Sequence, residues 1–504
     1  MAKTADVVII GAGVMGASIA FNLARRGVSN VAVLEKSFIA AGATGKSSAC
    51  VRQHYSTEVG ARMVMRSLEI FQNFSEIVGG PAGFVKTGYL MGVGERDHQA
   101  LKKVIAMQQA VGIKTSLLSP KEIREIEPRV STHDLAAGAW EPDSGYADPS
   151  DTTNAFMRRA RELGVRLYQN TQVTGLKTTA GAIAEVTTSH DNFSSPAVIN
   201  AAGVWGDRIG AMLGIHIPIT VCRHQIRLIK RPEAASSRHP MFYDFEHQFY
   251  SRPEGRDLTL IGTLDPAEIN DRIDPDGYND GVNSEQTPDV VAALCDRFPS
   301  FEAGHLHSGY SGPFDVTPDW HPIIDEAPGV RGFYLALGFS GHGFKLSPAV
   351  GEMVAELVIN GKRAESDVNT FRYSRFAENQ PVHGMYDEGL MGWARTKRIP
   401  AKSRTQPSPV PVAHLHSLVI PDEGFGSHSY TSRASETAGP GRSRKARQPL
   451  SGHRSDTEPV IWSSDFATVV AKNFRLAHGL WRRSQRWKLA APGHCVPAEQ
   501  RVCS

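Results

Sequence analysis

The residues that decide the fold lie near the start of the chain, in the stretch Val7-Val8-Ile9-Ile10-Gly11-Ala12-Gly13-Val14-Met15-Gly16. A short β-branched run leads directly into three glycines, and a helical pattern follows from Ala17 to Arg26. A second apolar run, Val31-Ala32-Val33-Leu34, ends on Glu35. A strand, a glycine turn, a helix, a strand and an acid in this order are typical of a nucleotide-binding βαβ unit.

Each part of this segment has a physical task at a dinucleotide. Gly11 permits a tight turn, Gly13 lets the backbone approach a pyrophosphate, and Gly16 lets helix and strand pack closely. The helix start offers N–H groups to the phosphates, and Glu35 can accept hydrogen bonds from ribose hydroxyls. The alternative is a glycine-rich turn in some other α/β unit. We predict a dinucleotide site, and its further members in this unit are Val14, Met15 and Lys36.

The composition limits the classes of function. Residues 397–504 hold 17 Lys and Arg against 7 Asp and Glu, whereas residues 1–396 hold 38 against 45. The body of the chain is therefore mildly acidic, which predicts no nucleic-acid surface.

The five cysteines are scattered without a CxxC pair, so neither a metal site nor a disulfide framework is predicted. Residues 7–24 are apolar and uncharged, but their glycine spacing argues against a membrane span or signal peptide, and a soluble cytoplasmic protein is predicted.

The C-terminal part of the chain changes in character. Residues 396–504 form a low-complexity basic tail, rich in Ser, Pro, Arg and Gly up to residue 460, without a sustained helix or strand period. This composition predicts disorder. Residues 466–489 could instead form a basic helix that acts at a membrane surface or on nucleic acid.

Two later segments also suit a cofactor. A short apolar strand runs into Ala201-Ala202-Gly203 and Trp205, where small residues let a ligand approach, although an ordinary buried strand would look the same. The second segment is a strand followed by the turn Gly338-Phe339-Ser340-Gly341-His342-Gly343-Phe344-Lys345. A helix is predicted to begin near Pro348 and to stop at Gly361. Three glycines before a helix start form a nest that can bind an anion or stabilise negative charge.

These segments, together with Thr317-Pro318-Asp319-Trp320-His321-Pro322-Ile323-Ile324, resemble the D-amino-acid-oxidase-type FAD amine oxidoreductases. Within them the chain is most similar to sarcosine oxidases and sarcosine oxidase β-subunit-like proteins, over roughly residues 4–380. The resemblance implies an α/β (α+β) protein of two domains. These are a Rossmann-like FAD-binding domain from residues 1–85, 145–215 and 318–380, and an antiparallel-sheet substrate domain from residues 86–144 and 216–317.

The sequence agrees independently with an antiparallel sheet in the second domain. Alternating runs separated by turn residues, rather than by long helices, favour such a sheet. The runs are residues 219–221, 225–229, 248–250 and 258–261.

The resemblance also implies a cofactor and a reaction. In such enzymes a hydride equivalent leaves the carbon next to an unprotonated amine and arrives at flavin N5, and the imine product hydrolyses in water. The implied substrate is a small secondary or N-methyl amino acid such as sarcosine. Gly341, His342 and Gly343 would stabilise the negative edge of the reduced flavin, and Lys345 and Arg52 would bind the substrate carboxylate.

Site residues follow from these positions. The predicted catalytic residues are Arg52, Lys345, His342 and Tyr250. For Arg52 a structural ion pair and for Lys345 a solvated side chain are the alternatives. His54, Tyr55 and His224 are further candidates for the substrate face, where aromatic and histidine side chains can equally be packing residues. The predicted cofactor-binding residues beyond the first βαβ unit are Ser47, Ser48, Val173, Ala201, Gly203, Trp205, Gly341, His342, Gly343, Phe344 and Lys345.

Two departures from the family pattern affect the chemistry. Gly312 replaces the cysteine that binds FAD covalently in single-chain relatives, and residues 42–49 contain no linking histidine, so non-covalent FAD is predicted. Leu260 replaces the oxygen-activating lysine, so the electron acceptor could be either O2 or a carrier protein. A hetero-oligomer, as formed by the β-type relatives, is also open.

Two other classes of function remain open from the sequence. The first is a non-catalytic flavoprotein of the same fold that serves as an assembly or interaction factor, and the presence of Arg52 and Lys345 favours the enzyme over it. The second is an NAD-dependent dehydrogenase, judged from Gly11 to Glu35 alone. The turn Gly338–Lys345 argues against this class, because it has no task at a nicotinamide site.

Overall fold

The computed structural model describes residues 2–361 and 367–386. The predicted tail, residues 396–504, and its alternative basic helix lie outside the described residues. The helices of the described part are α1 (Val14–Arg25), α2 (Glu58–Gln72), α3 (Phe74–Ile77), α4 (Glu95–Val111), α5 (Pro120–Ile126), α6 (Pro149–Glu162), α7 (Gly206–Ala211), α8 (Thr287–Arg297) and α9 (Gly343–Asn360).

The strands form four sheets. In chain order they are β1 (Lys3–Thr4), β2 (Val7–Ile10), β3 (Val31–Leu34), β4 (Cys50–Val51), β5 (Val85–Lys86), β6 (Tyr89–Val93), β7 (Ser116–Leu118), β8 (Ala137–Glu141), β9 (Gly145–Tyr146), β10 (Arg166–Tyr168), β11 (Val173–Thr179), β12 (Ala182–Thr188), β13 (Asn192–Ser194), β14 (Val198–Asn200), β15 (Thr220–Lys230), β16 (Met241–Asp244), β17 (Phe249–Glu254), β18 (Leu258–Thr263), β19 (His305–Val316), β20 (Ile323–Glu326) and β21 (Phe333–Leu337).

The first sheet has the order β10-β3-β2-β14-β21-β20. Its strands are parallel except for the edge pair β20–β21, which is antiparallel. The central strands are buried on both faces, which explains why their sequences read as continuous apolar runs rather than alternating ones. Helices α1, α6 and α9 share the hydrophobic core on one side of this sheet. The predicted Rossmann-like architecture is thereby confirmed.

The second large sheet has eight strands in the order β19-β15-β18-β17-β16-β6-β8-β7. Its pairs are antiparallel, as predicted, except for the parallel pair β16–β6. The predicted separation of residues 219–221 from residues 225–229 is wrong, because the single strand β15 runs from Thr220 through the second run without a turn. This strand pairs with β19 from Thr220–Val316 to Lys230–His305, and that long-range pairing keeps the polar residues between the two runs extended.

Helix α9 begins earlier than the sequence predicts. It starts at Gly343, directly after the glycine turn, and Pro348 lies inside it. Proline has no N–H to donate to the carbonyl four residues earlier, which belongs to Phe344. The hydroxyl of Ser347 donates to that carbonyl instead, at 2.9 Å, and so maintains the turn. As a result Lys345 sits on the first turn of a helix rather than in a loop.

Two smaller sheets and the last described segment complete the structure. The small sheets have the orders β1-β13-β12-β11 and β4-β9-β5. After α9, Arg375 forms two hydrogen bonds with Asp319, at 2.8 and 3.0 Å, and thereby fastens the segment to the turn before β20. Within residues 2–361 and 367–386, no helix combines the length and apolar character needed to cross a membrane.

Candidate cofactor and substrate site

The glycine turn between β2 and α1 has no room for side chains at two positions. Gly11 has a φ of +105°, and a Cβ there would lie 2.6 Å from the carbonyl oxygen of Ala201. At Gly16 a Cβ would lie 2.0 Å from the carbonyl oxygen of Gly11. At Gly13 the nearest atom to a Cβ is the Thr44 hydroxyl, at 3.1 Å. Gly11 and Gly16 therefore serve close packing, whereas Gly13 keeps the helix start accessible.

The start of α1 can accept a pyrophosphate. Gly13 is its N-cap and provides no side-chain cap, so the dipole end of the helix stays available to an anion. Val14, the first helical residue, donates its N–H to the Thr44 hydroxyl at 3.1 Å. Met15 is buried in the core that supports this turn.

Glu35 lies beside the turn and is oriented by two backbone amides. One carboxylate oxygen accepts from Ala12 N–H and the other from Ser37 N–H, both at 2.8 Å. A carboxylate has about four acceptor positions, so two remain for ribose hydroxyls. The donor set of the helix start and the acceptors of Glu35 together fit an adenine dinucleotide.

Lys36, the residue after Glu35, forms a cation–π contact with Trp205. The Lys36 ammonium lies 3.7 Å from the centre of the Trp205 ring, and both side chains contact the Asp276 carboxylate, at 2.6 and 2.8 Å. Gly203 and Trp205 form a short 3-10 turn after β14. Val173 lies in the hydrophobic core behind the dinucleotide turn and contributes packing there. The sequence did not single out Asp276, which belongs to a distant segment.

The second glycine nest lies at the start of α9. Ser340 and Gly341 have φ values of +51° and +80°, the left-handed backbone from which anion-binding nests are built. Asp315 of β19 supports the turn, because its carboxylate accepts from Gly338 N–H at 2.8 Å. Burial raises the pKa of Asp315 to about 6. A Cβ at Gly341 would lie 2.6 Å from the Phe314 ring, so only glycine fits here.

A narrow cleft separates this nest from the face of the eight-stranded sheet. Residues that the sequence predicted for the site line this cleft from three distant parts of the chain. The cleft is also lined by Cys50 on β4, Tyr243 on β16 and Phe314 on β19, which the sequence did not assign to the site, and by His224 on β15, which it assigned to the substrate face. The lining residues are Ser47, Ser48, Cys50, His224, Tyr243, Tyr250, Phe314, Gly341, Phe344 and Lys345.

Two basic side chains are buried here: Lys345 lines the cleft, and Arg52 lies against the ring of Tyr243, which also lines it. Arg52 is 1% exposed and Lys345 is 3% exposed. Burial, followed by the positive charge of Arg52, holds the pKa of Lys345 well below its usual value. The Arg52 guanidinium lies 5.1 Å from the ring centre of Tyr55 and 5.5 Å from that of Tyr243, and it donates to the carbonyl of His54. Burial and the Arg52 guanidinium both disfavour the charged form of Lys345, and a carboxylate bound beside the two side chains would favour it again.

A hydrogen-bonded relay lies on the sheet side of the cleft. His224 contacts the Tyr250 hydroxyl through Nε2 at 2.9 Å and the Glu268 carboxylate through Nδ1 at 2.6 Å. Burial raises the pKa of Tyr250 well above its usual value, so its hydroxyl stays protonated. With Nδ1–H donated to the carboxylate, Nε2 is left as an acceptor toward Tyr250. Glu268 was missed because it lies on a short 3-10 turn after β18 with no motif of its own.

His342 and Tyr55 form a second pair behind the nest. The Tyr55 hydroxyl and His342 Nδ1 are 2.9 Å apart. Burial, with smaller contributions from Lys345 and Arg52, lowers the pKa of His342 well below its usual value. His342 is thus a neutral imidazole at the helix start, and it provides no positive charge there at neutral pH.

Behind Arg52 the predicted candidate His54 contacts two residues that the sequence did not single out, Tyr386 and Glu141. His54 Nε2 contacts the Tyr386 hydroxyl at 2.6 Å, and the Glu141 carboxylate lies 3.8 Å from His54 Nδ1. Burial lowers the pKa of His54 to about 3 and raises the pKa of Glu141 to about 7. Glu141 accepts from Gln53 N–H at 2.7 Å, so it fixes the backbone next to Arg52.

The two positions that depart from the family pattern are both packed. Leu260 is buried on the cleft side of β18 within an apolar cluster. At Gly312 a Cβ would lie 2.8 Å from Cβ of Lys46. These positions offer neither a charge nor a nucleophile to a flavin.

Together the two helix starts, Glu35 and the aromatic cleft define a dinucleotide-binding protein, in which the glycine turn would hold the pyrophosphate and the cleft would hold the ring system of the cofactor. The FAD dependent oxidoreductase family, in its DAO form, matches residues 6–357. The chain belongs to this family, and FAD is its cofactor.

Known proteins of several activities are similar to the chain. Human mitochondrial sarcosine dehydrogenase is 28% identical over 392 residues, which cover 76% of this chain and 42% of that protein. The chain thus spans less than half the length of that relative. L-proline dehydrogenase from P. horikoshii is 31% identical with a TM-score of 0.69, covering 76% of this chain and all of that one. Glycine oxidase from Geobacillus kaustophilus shares the fold at 24% identity and a TM-score of 0.64, covering 74% and 99%.

Proposed function

We propose that this protein oxidises a small secondary or N-methyl amino acid, such as sarcosine, with FAD as the immediate oxidant. The observation that carries the proposal is the burial of Arg52 and Lys345 beside a cleft whose lining includes the aromatic rings of Tyr243, Tyr250, Phe314 and Phe344. Buried cations favour an anionic ligand, and the rings of Tyr243 and Tyr250 favour an alkylated ammonium. A carboxylate and an alkylated amine on one small molecule satisfy both requirements.

The names of similar proteins support the same substrate class. Sarcosine dehydrogenase and L-proline dehydrogenase are named for secondary amino acids, and glycine oxidase is named for a primary one. Each of these substrates carries a carboxylate next to an amine-bearing carbon. In this chain the carboxylate would lie against Arg52 and Lys345.

When bound, FAD supplies the two-electron acceptor for the C–H bond next to the amine. The chain has to orient the substrate and keep the amine unprotonated. Arg52 and Lys345 orient it by its carboxylate, and the carboxylate restores the charged form of Lys345 by favouring its proton. The Tyr250 oxygen accepts a proton from the substrate ammonium while the Tyr250 hydroxyl proton passes to His224 Nε2. Glu268 then stabilises the imidazolium through Nδ1.

Three further features belong to the same proposal. The electron acceptor after FAD is either O2 or a carrier protein, and a hetero-oligomeric partner would suit a carrier.

A cytoplasmic location remains a prediction, because relatives such as sarcosine dehydrogenase carry the word mitochondrial in their names. Non-covalent binding of FAD is proposed from Gly312 and from the residues before Cys50.

The test uses the purified full chain loaded with FAD. Under anaerobic conditions sarcosine, N-methylaminobutyrate, proline and glycine are added separately, and the flavin absorbance is followed. We expect sarcosine or another secondary amino acid to bleach the flavin faster than glycine does. Dithionite serves as the control that the bound flavin can be reduced. A yellow protein that dithionite bleaches and no amino acid does would contradict the enzyme and favour the non-catalytic flavoprotein.

A further inference from the structure

We propose that Arg252 supplies a further positive charge next to the flavin ring, in place of the lysine that the family pattern puts at position 260. The inference rests on the proposed function, because it concerns the reactivity of the same bound FAD. It assigns a role in electron transfer to a residue that the sequence pattern did not mark.

The sheet register places Arg252 next to the missing lysine. Arg252 on β17 pairs directly with Leu260 on β18, and Tyr250 pairs with Gly262. Residues that face each other across an antiparallel pair project from the same side of the sheet, as do residues two apart on one strand. Arg252 therefore shares the face of Tyr250 and Leu260, which is the face that borders the cleft.

The contacts of Arg252 hold its guanidinium against a residue that lines the cleft, Ser48, rather than in solvent. Its Nε donates to the carbonyl oxygen of Ser48 at 2.5 Å, and Ser48 lines the cleft. The guanidinium lies 4.5 Å from the ring centre of Tyr146. The side chain is only 5% exposed. The planar guanidinium is thus held in place with its positive charge next to the sheet face that borders the cleft.

One carboxylate lies close to this cation. Glu254 Oε2 is 2.6 Å from Nη1 of Arg252. The Glu254 side chain is 37% exposed, so water screens its charge more strongly than the charge of the buried guanidinium. Glu254 therefore weakens the positive potential on the buried side without cancelling it, and removing Glu254 should strengthen that potential.

A fixed cation at this position affects reactions that bring negative charge onto the flavin or onto its oxidant. When O2 is the acceptor, it would take two electrons and one proton from the anionic reduced cofactor and a second proton from water, and it would leave as hydrogen peroxide while the flavin returns to its oxidised form. The first electron makes the oxygen species anionic, and a preorganised cation stabilises that charge. Arg252 would thus allow direct reaction with O2 although position 260 carries Leu.

The experiment compares the FAD-loaded full chain with Arg252→Met and Glu254→Gln. Sulfite is titrated onto the oxidised flavin, because its anionic adduct is stabilised by nearby positive charge. Separately, the flavin is photoreduced without substrate and its reoxidation by O2 is timed. We expect Arg252→Met to weaken sulfite binding and to slow reoxidation by at least about tenfold each, as for loss of about 1.4 kcal/mol of charge stabilisation. Glu254→Gln should strengthen sulfite binding.

Neither sulfite binding nor reoxidation after photoreduction needs an amino-acid substrate. The experiment can therefore fail or succeed independently of the proposed function. If no amino acid bleaches the flavin while the sulfite shifts appear, the substrate proposal fails and the role of Arg252 stands. Unchanged sulfite affinity and unchanged reoxidation in Arg252→Met would overturn the role of Arg252. Should Arg252→Met fail to fold, Arg252→Lys and Glu254→Gln test the role of Arg252. The role requires that Arg252→Lys keep nearly the parental sulfite affinity and reoxidation rate, and that Glu254→Gln bind sulfite more tightly than the parent.

Discussion

The hydroxyl of Ser18 donates a hydrogen bond of 2.8 Å to the carbonyl oxygen of Ser347, although the two residues are 329 positions apart. This contact joins α1 to the beginning of α9. It holds the two glycine-lined helix starts on one side of the parallel sheet, where a single extended cofactor can reach both. Gly351 makes the approach possible, because a Cβ there would lie 2.2 Å from Oγ of Ser18.

The first prediction tests this close approach. Gly351→Ala should lower the free energy of unfolding by about 1–3 kcal/mol, because the added methyl group overpacks the contact between α1 and α9. The loss should exceed the roughly 1 kcal/mol that alanine gains over glycine in a helix. Urea unfolding measures the change. Gly277→Ala is the matched control, since nothing lies within 4 Å of its added Cβ. Equal stabilities of the two variants would contradict the proposed packing.

The second prediction concerns substrate binding. Lys345→Ala should raise the apparent KM for sarcosine at least about 30-fold, because loss of one buried partner of a charged contact costs about 2 kcal/mol or more. The FAD content should change far less. Steady-state kinetics and the flavin-to-protein absorbance ratio give both values. Lys102→Ala, on the exposed side of α4, is the control. Identical kinetic constants in Lys345→Ala and the parent would remove Lys345 from the site.

The third prediction concerns the proton relay. Tyr250→Phe removes the hydroxyl that contacts His224 Nε2 and should lower the rate of flavin bleaching by about 10²-fold or more, the usual contribution of a positioned acid or base. Anaerobic single-turnover mixing measures this rate without the oxidative step. Tyr334→Phe on β21 is a control in which one hydroxyl is removed away from the cleft. A rate within twofold of the parent would show that the relay takes no part in amine deprotonation.

The fourth prediction is a pH dependence of stability from Glu141. Its pKa is raised to about 7 in the folded protein by burial, against 4.5 as the ordinary value. The folded state therefore binds more protons between these values, and the contribution of Glu141 to stability falls as the pH rises from about 4.5 to about 7. The full fall is on the order of 3 kcal/mol, since one pKa unit corresponds to about 1.4 kcal/mol.

Glu141→Gln tests this dependence. Buried histidines such as His54 give an opposite slope, because their lowered pKa values favour folding at higher pH. The difference in unfolding free energy between parent and variant removes the contribution of histidines distant from Glu141, which titrate alike in both proteins. The pKa of His54, near 3, lies below the pH range of the test. We expect that difference to shift in favour of the variant as the pH rises from 5 to 7. A difference that is flat with pH would show that Glu141 titrates normally in the folded protein.

The fifth prediction concerns the cofactor linkage. Acid precipitation of the FAD-loaded protein should leave the flavin in the supernatant, because Gly312 provides no nucleophile and its backbone packs against Lys46. Absorbance of the supernatant and of the redissolved pellet measures the partition. Flavin that stays with the pellet would point to a covalent bond to another residue.

The local motifs were predicted from the sequence because their physics is local. The glycines at positions 11, 13 and 16 and the acid at position 35 are set by one turn, one helix and the next strand. The turn Gly338–Lys345 was predicted for the same reason. The start of the helix after this turn was predicted too late, because a proline is typical of the first helical turn. Pro348 instead lies inside the helix, where the Ser347 hydroxyl donates to the Phe344 carbonyl, and the sequence pattern does not show this side-chain hydrogen bond.

Other parts of the site depend on partners that no local pattern identifies. Glu268 reaches His224 from a turn without a motif, and Tyr386 reaches His54 across 332 positions. Arg252 could be placed beside Leu260 only once the register of β17 and β18 was known. A shift of one residue in that register would turn the guanidinium to the opposite face of the sheet.

The sequence by itself determined the dinucleotide turn, the second nest and the class of sheet that accompanies them, because short-range backbone geometry dictates these features. Only the tertiary structure decided which charges surround the cleft. Long-range strand pairing and helix packing set the burial of Arg52 and Lys345, the carboxylate behind His224 and the cation next to Leu260. Burial and proximity control the charge state of each group, and both are properties of the folded chain alone.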